Sequence, residues 1–293
     1  MLHIIENKHL ICTIDSNGAE IRSLVNKSTG EDYIWQIDPS VWGSSSPVLF
    51  PSIGKIKENK ITYQGKTYAM PKHGIVRHND TLSFEQIMTS QCVFTLNSSE
   101  ITLKQYPFKF QFSIVFKLID NRLVMTYQVE NIDSVPMSFS CGGHTAYACP
   151  LNKDTALSDY VIEFPNQQKL TSKTLGTSGL LSDKFRTIET EHNTLSLSTT
   201  LFNEDALIFS NIDYNWVRLR KKEQEKGLIV RFIDYPNLAL WSKPTADYVC
   251  IEPWLSLPDS EKEALDIQEK TTYKTIAPNS KFSISIETEI ESI

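Results

Sequence analysis

"QFSIVFKLIDNRLVMTYQVE", residues 111–130, decides the fold. Phe112, Ile114, Phe116 and Leu118 fall on one side of an extended chain, and Leu123, Met125, Tyr127 and Val129 do the same. Asp120-Asn121 lies between the two runs, and both residue types tolerate positive φ, so the stretch reads as a tight β-hairpin. The same period of two recurs in "TLSLSTTLF" (194–202), through Leu195, Leu197 and Leu201. It recurs again in "KFSISIETEI" (281–290), through Phe282, Ile284 and Ile286. Antiparallel strands with one buried face produce this pattern. Only "DSEKEALDIQEK" (259–270) reads as a short helix. There is no internal repeat, low-complexity tract or Pro/Gly/Ser linker. A length of 293 residues allows two domains, yet all-β sandwiches of this size often form one. The expectation is an all-β chain forming a single domain over residues 1–293, with two smaller sandwiches as the alternative.

Composition narrows the function classes. The chain is 40% hydrophobic, ample for a large core, and carries a net charge of -6. A binder of phosphate backbones would carry a clustered basic excess. The densest basic run, Arg218, Arg220, Lys221 and Lys222, is interleaved with Glu223 and Glu225 and reads as a solvated strand end. No nucleic-acid partner is expected. "MLHIIENKHLICTID" lacks the charge and apolar pattern of a signal peptide, and no apolar run approaches the roughly 20 residues of a membrane span. The five cysteines are odd in number, widely spaced and without a CxxC pair. Free thiols in a reducing cytoplasm are the simple reading.

Three residues stand out chemically. Glu252 sits in "YVCIEPW" (248–254), surrounded by apolar residues. An isolated ionised carboxylate there costs several kcal/mol, roughly, unless it finds partners. Burial raises a carboxyl pKa and a nearby cation lowers it, so such a group can be tuned into a general base. The competing reading is a buried glutamate satisfied by backbone N–H groups or an arginine. His144 follows two glycines in "SFSCGGHTAYACP" (138–150), where the backbone can approach closely. It reads equally as a cleft histidine or a satisfied core histidine. His73, in "MPKHGIVRHND" (70–80), lies between Pro71 and Gly74, with Arg77 four residues on; a surface loop histidine is the competing reading. His3, His9, His78 and His192 stand in polar or turn-like settings. His73, His144 and Glu252 are 71 and 108 residues apart, and nothing in the periodicity brings them together.

A set of ordered blocks adds a further reading. "NGAEIRSL" (17–24), "GEDYIW" (30–35), "DPSVW" (38–42), "PVLFPSIGKI" (47–56), "YQGKTYAMPKHGIVR" (63–77), "PMSFSCGGHTAYACP" (136–150), "LFNEDALIF" (201–209), "LALWSKP" (238–244) and "CIEPW" (250–254) run along nearly the whole chain. The set resembles the aldose 1-epimerase superfamily, the galactose mutarotase-like proteins, and within it is similar to the bacterial LacX-type branch. The HG..R, GGH.AY and CIEPW blocks are the most specific.

The resemblance implies a β-supersandwich of large antiparallel sheets with a sugar cleft lined by His73, His144 and Glu252. Glu252 would be the base on the C1 hydroxyl of an aldose. His144, protonated at rest, would be the acid on the ring oxygen, and His73 would hydrogen-bond the ring or C1 oxygen. Arg77 would hold sugar oxygens or orient Glu252, and Asp205 would bind sugar hydroxyls, a turn carboxylate being its competing reading. Trp241 and Phe50 would offer flat apolar surfaces, with plain core packing as the competing reading. Lys55 stands where relatives often carry arginine and lacks the bidentate fork. Thr145 and Ile75 replace a frequent proline and phenylalanine. No metal or cofactor is implied. The partner would be a small-molecule sugar, an aldohexose or a hexose phosphate, the latter suggested by Lys55, Lys72, Arg77 and Lys243. Two other readings compete. One is a sugar-binding protein without catalysis on the same fold. The other is a zinc site of two histidines and a glutamate, without HExxH-type spacing.

Overall fold

The computed structural model describes residues 1–151, 154–166 and 169–291. Its frame is two large antiparallel sheets. The opening hairpin lies inside the larger one: Phe110–Ile119 pairs with Arg122–Asn131, and Asp120 takes φ 49° at the turn. Nine strands follow in the order Thr194–Ser196, Tyr160–Glu163, Trp216–Lys221, Leu228–Arg231, Lys281–Ile290, Arg122–Asn131, Phe110–Ile119, Gln91–Asn97 and Ser83–Met88. Phe112 stands opposite Val129, Ile114 opposite Tyr127, Phe116 opposite Met125 and Leu118 opposite Leu123. All eight are buried, so the inward face is the one the alternation predicts.

The second sheet carries Glu252. Its order is Leu181–Ile188, Leu170–Leu175, Leu207–Ser210, Asn237–Trp241, Tyr248–Trp254, Gly142–Gly143 and Val48–Leu49, with Thr145–Ala148 also paired to Tyr248–Trp254. Alternation splits its side chains cleanly. Leu207, Phe209, Leu238, Leu240, Val249 and Ile251 join the core shared with the first sheet. Ile208, Ala239 and Trp254 pack together away from that core, as do Tyr248 and Cys250 in a separate cluster. Glu252 follows the second set, so it points out of the inter-sheet core.

A three-stranded sheet, Leu2–Glu6, Leu10–Asp15 and Glu20–Asn26, and two small hairpin-like pairs complete the strands. The single α-helix among the described residues is Glu100–Leu103, capped by Ser99. Residues 259–270 do not form the expected helix. Their backbone groups bond to other segments: Asp259 N–H to the Lys55 carbonyl, Leu181 N–H to the Asp259 carbonyl, Thr62 N–H to the Leu265 carbonyl and Ile267 N–H to the Thr62 carbonyl. The strand expected over 194–202 is shorter, Thr194–Ser196, and turns follow it. The basic run is also less solvated than expected. Arg218 and Arg220 both pair with Glu163, and Arg218 also with Glu291. All five cysteines are free and buried. No helix among the described residues is long and apolar enough to cross a membrane.

Candidate active site

Glu252 occupies the middle of strand Tyr248–Trp254 with 1% of its surface exposed. Its cross-strand neighbour is Ala239, itself opposite Ile208, and the small alanine leaves space above the carboxylate. His144 reaches the same place from the other side. Gly142 pairs with Trp254, and a Cβ on it would lie 2.6 Å from the Pro253 carbonyl oxygen, so only glycine permits this approach. Thr145 then pairs with Ile251. His144, one residue earlier, is thereby set beside Glu252, with Nε2 3.2 Å from Oε2. The contact is off hydrogen-bond alignment, and Oε2 has no hydrogen-bond partner.

His73 is buried, with 4% of its surface exposed, which overturns the surface-loop reading. Its burial depends on Gly74, whose φ is 82° and on which a Cβ would lie 2.0 Å from the Phe50 carbonyl oxygen. His73 N–H donates to the Gly54 carbonyl at 2.9 Å, and Gly54 N–H donates to His73 Nδ1 at 3.1 Å. An Nδ1 that accepts carries no proton, so the neutral ring carries its proton on Nε2 and acts as a donor there. The ring lies edge-on to His144, with centroids 5.4 Å apart.

Electrostatics follow from this burial. Desolvation pushes Glu252 well above the usual carboxylate range, with Asp205 adding to the shift and Lys72 and Arg77 opposing it. Desolvation and then the Arg77 charge push His144 down to about 3. His73 is held well below its ordinary value by desolvation first, then by His144, Lys72 and Arg77. Desolvation thus opposes the ionised form of both groups. It runs against the expectation that His144 rests protonated, with no aligned hydrogen bond from Glu252 to offset it.

The three residues sit in a cavity of roughly 560 Å³, within the range of small-molecule sites. Arg77, Asp205, Lys55 and Trp241 also line it. Arg77 reaches Ser44 Oγ at 3.4 Å, and its buried Nε has no partner. Asp205 is exposed on a turn at φ 74°. Lys55 Nζ donates to the Ser178 carbonyl at 2.7 Å. Trp241 stands edge-on to His144 at 5.7 Å. Phe50 takes the core-packing reading, stacked on Phe112 at 4.2 Å, and Lys243 is not among the lining residues. Sequence reasoning gave no role to Trp42, whose ring lies 5.1 Å from His144 and 5.4 Å from Trp241. It lies just after a turn at Asp38, with no periodic signal to mark it. The rim residues Gly176, Thr177 and Glu204 were likewise unmarked.

Comparison with known proteins identifies the family. The family model described as aldose 1-epimerase matches residues 1–276. Protein LacX of Lactococcus lactis subsp. lactis is 28% identical over 283 residues, covering 94% of each chain. A galactose mutarotase related enzyme from Lactobacillus acidophilus superposes with a TM-score of 0.92 at 31% identity, covering 100% of this chain and 98% of that one. A galactose mutarotase-like protein from Lactobacillus casei superposes with a TM-score of 0.90 at 29% identity, covering 99% of each chain. With a family model spanning nearly its whole length and a mutarotase-like sandwich around its cleft, the chain belongs to the aldose 1-epimerase family.

Proposed function

We propose that this protein interconverts the α and β anomers of a neutral aldose. The observation that carries the reading is the His144–Glu252 pair, 3.2 Å apart, with the carboxylate oxygen unpartnered at the base of the cavity. Ring opening needs a base for the C1 hydroxyl proton and an acid for the ring oxygen. A pair holding one proton supplies both. Sugar hydroxyls bonding to Glu252 replace the solvent it has lost and favour the ionic arrangement, with the proton moved to His144. Glu252 then takes the C1 hydroxyl proton while His144 protonates the ring oxygen. The C1–C2 bond rotates, and closure runs the same steps backwards. His73 donates its Nε2 proton as a hydrogen bond to the developing oxyanion. Each positioned proton transfer contributes roughly 10²–10⁴ in rate.

A neutral sugar fits a lining of mixed sign, in which Glu204 and Asp205 stand among Lys55, Lys72 and Arg77. Trp42 and Trp241 supply the apolar walls against which a sugar's C–H face packs. Five unpaired thiols suit a reducing compartment, which supports a cytoplasmic site of action.

The test is anomer equilibration of α-glucose, α-galactose and glucose 6-phosphate, followed by proton NMR exchange. Wild type accelerates at least one free aldose, and Glu252→Gln and His144→Asn lose roughly 10²-fold or more in kcat. A folded wild-type protein that accelerates none of them leaves the non-catalytic sugar-binding reading in its place.

A further inference from the structure

Cys250 lies on the same strand face as Glu252, two residues earlier, and pairs in register with Ala146 on one side and Trp241 on the other. The acid–base scheme gives it no task. Yet one donor atom each from His144, Cys250 and Glu252 lie within 4.8 Å of one another, and all three residues are buried. Glu252 Oε2 has no hydrogen-bond partner, nor has His144 Nδ1. His144 and Glu252 line the cavity, and Cys250 belongs to the apolar cluster against which Trp42 and Trp241 pack.

We propose that this trio is a binding site for a thiophilic divalent cation such as Zn²⁺, and that the bound ion blocks the cleft. Tetrahedral zinc with one nitrogen, one oxygen and one sulfur ligand places those atoms roughly 3.3–3.6 Å apart. His144 Nε2 and Glu252 Oε2 already stand at 3.2 Å. The thiolate closes the remaining distance, roughly 1 Å, by side-chain rotation, and the fourth position faces the cavity. On binding, M²⁺ takes the imidazole nitrogen lone pair and displaces the Cys250 thiol proton and the Glu252 carboxyl proton. Two protons leave to solvent, and the complex carries no net charge. The donor set is not the two histidines and a glutamate that the sequence alone offers, because His73 Nδ1 is engaged by Gly54. Zinc here is not a cofactor. It occupies the oxygen and nitrogen that proton transfer uses, so it inhibits. The inhibition rests on the anomer-exchange reading; the binding does not.

The test titrates the purified protein with Co²⁺ and watches for a thiolate-to-cobalt charge-transfer band in the near ultraviolet. Anomer exchange is measured in parallel with Zn²⁺ and with Zn²⁺ followed by chelator. Wild type shows the band, zinc slows exchange, and chelator restores it. Cys250→Ala lacks the band, keeps the zinc-free rate, and needs roughly tenfold more zinc or higher for half inhibition. Cys250→Ser serves as a second variant where alanine loosens the floor, and it too lacks the band. A wild type without the band, or a band unchanged in both Cys250 variants, overturns the site. A band with undiminished exchange under zinc overturns the blocking. A band in a protein that accelerates no sugar upholds the metal site while the anomer-exchange reading fails.

Discussion

Glu252 and His144 are shifted in opposite directions by one cause, desolvation, and this has a measurable consequence for stability. The folded carboxyl stays protonated above its ordinary 4.5, and the folded imidazole stays neutral below its ordinary 6.5, down to about 3. The unfolded carboxyl ionises above about pH 4.5 before the folded one does, which lowers stability as pH rises; the unfolded imidazole protonates below about pH 6.5 before the folded one does, which lowers stability as pH falls. Within that window the two slopes oppose each other. His144→Asn leaves Glu252 alone, so the stability of that variant declines as pH rises above about 4.5. Glu252→Gln leaves His144 alone, whose contribution is lost as pH falls from 6.5 towards about 3. The limiting slope is about 1.36 kcal/mol per pH unit in each case. Urea midpoints of the three proteins across the window check this, and three parallel profiles would sink it. Glu252 was legible in the sequence as a carboxylate among apolar neighbours. The burial of His73 was not, because it rests on Gly74 docking against the Phe50 carbonyl, a contact between separate blocks of the chain.

The strands around 112–129 and 281–290 could be read from alternation because each presents one face to a shared core. Segment 259–270 could not be read, because charges that look like a solvated helix face are spent on tertiary partners. Lys270 Nζ meets Asp259 Oδ2 at 2.6 Å, with side chains 1% and 2% exposed. Asp259 Oδ2 also accepts the Lys57 N–H at 2.9 Å, and Lys270 reaches the Ala264 carbonyl. Pro258 packs where a Cβ on Gly54 would stand, and Gly54 orients His73. This segment is thus a clamp behind the His73 loop. Lys270→Met leaves Asp259 buried without its cation and is expected to cost about 3–5 kcal/mol. Asp259→Asn with Lys270→Met removes both charges, keeps an acceptor for Lys57 and recovers much of that loss. Equal losses in the single and double variants, by urea unfolding, would show that packing rather than the unpaired charge dominates.

At the scale of the molecule, the site exists because sheet order is not chain order. Val48–Leu49, Gly142–Gly143 and Tyr248–Trp254 are neighbours in one sheet, although the sequence separates them widely. Periodicity reports which face of a strand is buried but not which strand lies beside it, so the convergence of His73, His144 and Glu252 came only from the ordered blocks of the family. The same assembly sets the field over the cleft. Lys55, Lys72 and Arg77 share the lining with Glu204 and Asp205, and Lys55 spends its ammonium on the Ser178 carbonyl. A phosphate needs an excess of cationic donors, and its binding weakens with salt as screening shortens to roughly 3 Å at 1 M. The expected outcome is a KM for the free aldose that changes less than about twofold from low salt to high salt, since no net charge is paired on binding. The hexose 6-phosphate should show no higher kcat/KM than the unphosphorylated sugar. A phosphosugar preferred at low salt, with a KM that climbs steeply as salt is added, would mean that the three cations act together as an anion pocket and that the balance of the lining does not set the substrate.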